Sequence, residues 1–107
     1  IQKVNDDLSM SCYCAIEDGL IVSIGRALDP LQTIRHAFDE VHRTLPEPTL
    51  IIGCDCILRR LEFEAAAIDH AMSELMAKSR VFGFFTYGEQ FNGVHVNQTL
   101  TAIAIGG

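Results

Sequence analysis

The segment Val81-Phe-Gly-Phe-Phe-Thr-Tyr-Gly-Glu-Gln-Phe-Asn-Gly-Val-His-Val-Asn-Gln-Thr-Leu-Thr-Ala-Ile-Ala-Ile105 doubles back on itself. Asn92-Gly93 supplies the positive φ angles that a two-residue hairpin turn requires, with a strand on either side. A two-residue loop sets Phe91 opposite Val94, Glu89 opposite Val96 and Gly88 opposite Asn97. In that register Tyr87, Glu89 and Gln98 share one side. Thr86, Gln90, His95, Asn97 and Thr99 take the other. These polar groups interrupt strands that are otherwise apolar, so they must be paired, wet or liganded.

Upstream, Thr49-Leu-Ile-Ile-Gly-Cys-Asp-Cys-Ile57 is almost wholly apolar and predicts a central strand buried on both faces. Before it, Asp29-Pro30 opens a helix, with Asp as the N-cap and Pro at the first helical position. Leu31, Ile34, Phe38, Val41 and Leu45 form its one-sided stripe, and Pro46 stops it. After it, Leu61, Ala65, Ile68, Met72, Leu75 and Met76 trace a second helix from about Arg59 to Ser79. At the other end, Leu8, Met10, Cys12, Cys14 and Ile16 alternate along one strand face. Glu17-Asp18-Gly19 is a turn, and Leu20–Ile24 is the returning strand. The order β-β-α-β-α-β-β implies a mixed sheet. Right-handed crossovers lay both helices on one face of it. The expected fold is α/β (α+β), a two-layer sandwich with no linker or repeat, and residues 1–107 form a single domain.

With 107 residues the chain holds one core, and 49% hydrophobic content with a mean hydropathy of +0.22 fills it well. A net charge of −6 and a pI near 5.0 argue against a nucleic-acid surface, which needs a basic stripe. No apolar run reaches the ~18 residues of a membrane span, and no signal peptide opens the chain. The absence of an initiator Met suggests an excised domain. The four cysteines fall in two Cys-x-Cys pairs, Cys12/Cys14 and Cys54/Cys56. Without a secretion signal, reduced thiols in the cytoplasm are the expectation.

Three blocks resemble the C-terminal domain of the FIST family (F-box and intracellular signal transduction). They are Glu17-Asp-Gly-Leu-Ile-Val, then Thr49-Leu-Ile-Ile-Gly-Cys-Asp-Cys-Ile-Leu-Arg-Arg, then Gly83-Phe-Phe-Thr-Tyr-Gly-Glu89 followed by Asn97-Gln-Thr99. The likeness covers roughly residues 15 to 105, although the segment between Glu89 and Asn97 is short for the family. It implies a sensory input domain that binds small ligands such as amino acids. It also implies an N-terminal FIST half and an output module of the histidine kinase, chemoreceptor or cyclic-dinucleotide type. Some members are associated with haem and nitric oxide. Cys54 matches the family's cysteine.

Arg59 and Arg60 stand where the central strand hands over to a helix. Cations there oppose the helix dipole unless an anion or an acidic neighbour such as Asp55, Glu62 or Glu64 accompanies them. An amino acid needs a carboxylate for its ammonium and donors for its carboxylate. Glu89 and Arg59 or Arg60 can supply these, with Tyr87, Asn97, Thr99 and Cys54 beside them. The competing reading is a solvated Glu89 and two solvated arginines. Four thiolates for zinc are the less favoured reading of the cysteines, because structural zinc prefers Cys-x₂₋₄-Cys knuckles on turns. Small buried hydrophobes fit better. His95 is the alternative haem ligand, in competition with a cross-strand bond to Gln90. No Gly-x-Ser-x-Gly, His-Glu-x-x-His or phosphate loop occurs, so catalysis is not expected. The expectation is a non-enzymatic, cofactor-free sensing domain of a cytoplasmic signalling protein. Haem or metal sensing is the alternative, and a structural or homodimerising domain the third reading.

Overall fold

The computed structural model describes residues 1–106. Its elements run β1 (Lys3–Val4), β2 (Met10–Ser11), α1 (Pro30–Thr44), β3 (Leu50–Cys56), α2 (Ile57–Ala65), α3 (Asp69–Lys78), β4 (Val81–Thr86), β5 (Glu89–Phe91), β6 (Val94–Val96) and β7 (Leu100–Ile105). The fold is α+β. Its main sheet is mixed, in the order β4-β3-β7, with β4 parallel and β7 antiparallel to the central β3.

Local chemistry explains the helix starts and stops. Asp29 caps α1 by accepting the Gln32 backbone N–H at 3.0 Å, and Pro30 takes the first helical position. Such a cap is worth about 1 kcal/mol. α2 follows β3 with no intervening residue. It ends in a Schellman turn: Ile68 N–H bonds to Phe63 C=O at 2.9 Å and Ala67 N–H to Glu64 C=O at 3.1 Å. Ala67 holds the left-handed position with φ 55°. The expected second helix is therefore two helices. The run Ala65-Ala66-Ala67 reads as helix because it carries no glycine to announce the break.

One face of the sheet carries the core. Ile34 and Phe38 of α1, Phe63 of α2 and Met72 of α3 close over Ile51 of β3. Val41, Ile68, Leu75, Val81 and Leu100 pack around them, in accord with the helical stripes. Burying each large side chain stabilises the fold by roughly 1.5–3 kcal/mol. The other face is bare. Ile52, Phe82, Phe84 and Ile103 line up across the three strands and are exposed, Phe82 at 71% and Ile103 at 69%. β3 is thus central, but it is covered on one face instead of two.

The closing segment also differs in its pairing. Asn92 and Gly93, at φ 49° and 78°, form the expected turn, and Glu89–Val96, Gln90–His95 and Phe91–Val94 pair as predicted. That hairpin is a small sheet of its own. β4 and β7 part beyond it and flank β3 from opposite sides. At the N-terminus the expected strands over Leu8–Ile16 and Leu20–Ile24 do not form. β1 and β2 make a short ladder instead, and residues 13–29 are exposed. The Glu17–Gly19 turn is present, with Leu20 N–H bonded to Glu17 C=O at 3.2 Å. Alternating apolar residues form a strand only beside a sheet edge and a layer that buries them. Residues 13–29 pair with no strand and are covered by no layer.

Candidate functional site

The C-terminal end of β3 carries a polar cluster. Alternation sends Ile51, Gly53 and Asp55 to the helix-covered face. Because α2 begins directly after Cys56, Arg59 stands one turn from Asp55, and its Nε donates to Asp55 Oδ1 at 2.6 Å. The pair is nearly sealed from water. The Arg59 guanidinium lies 5.0 Å from the centroid of the Phe63 ring. Its Nη2 is buried without a hydrogen-bond partner. A buried donor left open costs on the order of 1–3 kcal/mol, so Nη2 is a standing demand for an acceptor.

Glu89 joins the cluster from the other side. It is 3% exposed and accepts hydrogen bonds from the hydroxyls of Thr86 and Thr99, the latter at 2.5 Å. The Thr86 hydroxyl also lies 3.3 Å from the Asp55 backbone carbonyl. Gly88 makes this possible. Its φ of 139° is open to glycine, and a Cβ there would lie 2.3 Å from the His95 ring and 2.8 Å from Asn97 Oδ1. The turn thereby tips the Glu89 side chain inward. Burial pushes the Asp55 carboxyl above its ordinary value of 3.8; Arg59 pulls it back, and the charge of Glu89 adds to the rise.

Beside the cluster runs an open groove of about 570 Å³ between α2, α3 and β4. Gly53 and Gly83, paired across β3 and β4, line it. Phe63, Met72, Met76 and Leu100 give it apolar walls. Asp55, Arg60, Glu64 and Asp69 supply its charges. Arg60 bonds Glu64 at 2.8 Å and lies 5.2 Å from the centroid of the Phe85 ring.

The expected site residues divide accordingly. Arg59, Glu89 and Thr99 belong to the buried cluster, and Arg60 to the groove. Asn97 is half-buried against Gly88. Tyr87 is 92% exposed and lines neither feature. Cys54 alternates onto the bare face, away from Asp55. Thr86 and Thr99 meet Glu89, where the hairpin register extended from Gly93 sets them on the other side. The register ends where β4 and β7 leave the hairpin, so both threonines turn back toward the carboxylate. Asp55 emerges as the link between cluster and groove. The signal for it is the i, i+4 spacing from Asp55 to Arg59 across the strand–helix junction.

The four thiols are free. Among the described residues, no group of three or more His, Cys, Asp or Glu side chains is arranged to hold a metal ion. His95 is exposed on the hairpin, and no histidine or cysteine lines the groove. The groove thus offers a haem iron no protein imidazole or thiolate. No helix is long and apolar enough to cross a membrane among the described residues.

Comparison with known proteins returned no match among curated proteins and none among solved structures. A family model for the FIST C domain matches residues 1–92 of the 107. The chain belongs to the FIST C domain family, sensory domains of signal transduction proteins that stand beside an N-terminal FIST half.

Proposed function

We propose that the chain is a non-enzymatic input domain whose groove binds a small zwitterionic or anionic ligand, an amino acid or a close relative. The carrying observation is the junction of cluster and groove at the end of β3. There a buried Asp55–Arg59 pair, with the guanidinium Nη2 unsatisfied, adjoins an apolar trough rimmed by Arg60 and Asp69. The end of a central strand at a strand–helix junction is a favoured ligand position in α/β sheets. Arg60 holds the ligand carboxylate after exchanging Glu64 for it, and the acidic groups hold the ammonium. Glu89, braced by Thr86 and Thr99, fixes the charge behind Asp55. The reading needs no cofactor. Occupancy of the groove shifts α2 and α3 against β4 and passes a signal from the cytoplasmic FIST protein to an output module of the kinase, chemoreceptor or cyclic-dinucleotide class.

Calorimetric titration with the common amino acids tests this reading. At least one is expected to bind, and Arg60→Ala or Glu89→Gln is expected to weaken it by about 1 kcal/mol, roughly fivefold, because Arg60 is half-exposed and Glu89 acts from behind Asp55. Absence of heat with every amino acid sinks the proposal. Unchanged binding in both variants removes it from this site.

A further inference from the structure

Charges along the groove are not evenly available. Arg60 is engaged twice, by Glu64 at 2.8 Å and by the Phe85 ring. Arg59 bonds Asp55 through Nε and does not line the groove. Carboxylates thus outnumber cations among the groove-lining side chains, Asp55, Glu64 and Asp69 against Arg60, and Asp69 carries no ion pair among the described residues while Asp55 keeps Oδ2 outside its bond to Arg59. Asp55 is 9% exposed, so a cation beside it is little screened by water. The rest of the trough is largely apolar, and the Val81 and Leu100 side chains close over Gly53, each 3.3 Å from where a Cβ would stand. A volume of about 570 Å³ lies within the ~300–1,000 Å³ of small-molecule sites.

We infer that the groove selects a primary ammonium group attached to a large apolar body, with a ligand carboxylate secondary. The ammonium sits between Asp55 and Asp69, and the apolar body lies along Val81 and Leu100 against Phe63, Met72 and Met76. This rests on the sensing groove proposed above and replaces the anionic half of its ligand class: phenylalanine or leucine fits, a bare amine of the same shape also fits, and a bare acid does not.

The test titrates the whole chain by calorimetry with L-phenylalanine, 2-phenylethylamine, 3-phenylpropionate and L-aspartate. Phenylalanine and phenylethylamine are expected to bind within about tenfold of each other, with phenylpropionate and aspartate at least about tenfold weaker than either. Asp55→Asn and, independently, Asp69→Asn are expected to weaken phenylethylamine by more than about tenfold. Asp69 is on the surface, so the second variant stays informative if the first fails to fold. Phenylpropionate binding as well as phenylethylamine overturns the ammonium selection. Aspartate binding in preference to both overturns it too, and leaves the sensing reading standing. Silence from all four probes, with another amino acid binding, has the same effect, whereas silence from every amino acid removes both.

Discussion

Asp55 is held between opposed influences. Burial raises its pKa above 3.8, Arg59 lowers it, and Glu89 raises it again. A carboxyl that ionises less readily in the fold makes the native state bind its proton more tightly than the unfolded chain does. Its contribution is therefore greatest below pH 3.8 and is lost as pH rises from there through the raised native value. Over that window Asp55 makes stability fall with rising pH, opposite in sign to an ordinary paired aspartate. Urea unfolding across a pH series, compared between the native chain and Asp55→Asn, checks this. The variant should lose the descending component; parallel pH profiles would show that Asp55 titrates as it does in the unfolded state. The sequence exposes only part of this arrangement. Arg59 and Glu89 stand out by type and position, and the Asn92-Gly93 turn fixes Glu89 against Val96. The encounter of Glu89 with Thr86 and Thr99 is not readable, because it depends on where two strands leave a hairpin and on the rotation at Gly88.

The same contrast holds for the elements. α1 is legible because every local signal agrees: an aspartate cap, a proline at the first turn and a stripe that ends at proline. β3 is legible from its apolar run. The break between α2 and α3 is not, because the left-handed residue is Ala67 where glycine is usual. Helical periodicity continues through it, since Phe63 and Ile68 on either side of the turn join one core. Ala67 is exposed, so relief of its backbone strain is not masked by packing. An L-residue in this conformation costs roughly 1–2 kcal/mol, part of which glycine gives back through the greater freedom of its unfolded chain. Ala67→Gly should therefore stabilise the protein by about 0.5–1 kcal/mol. A higher urea midpoint with an unchanged slope is the expected result. A lower midpoint would mean that the turn is not held left-handed in solution.

At the scale of the whole molecule, the chain is larger than its length requires. Its radius of gyration is 15.9 Å, against about 13 Å for a compact domain of this size. The exposed N-terminal stretch 13–29 and the bare sheet face are the physical reasons. Hydrophobic content in the sequence does not reveal which apolar residues find a layer to cover them, and so β3 reads as buried twice. The structure makes the two faces of one sheet energetically unequal, and this can be measured. Phe63 is buried in the core among all three helices, and Phe38 likewise. Phe84 sits on the opposite face beside Cys54 and is 62% exposed. Truncating a buried phenylalanine removes both its transfer free energy and its packing, so Phe38→Ala and Phe63→Ala should each cost about 3–5 kcal/mol. Phe84→Ser removes side-chain surface that water already touches, and should cost under about 1 kcal/mol. Urea melts of the three variants decide between one covered face and two. A loss of several kcal/mol at Phe84, matching that at Phe63, would mean that the bare face is covered in solution and that the sheet is buried as the apolar run of β3 predicts.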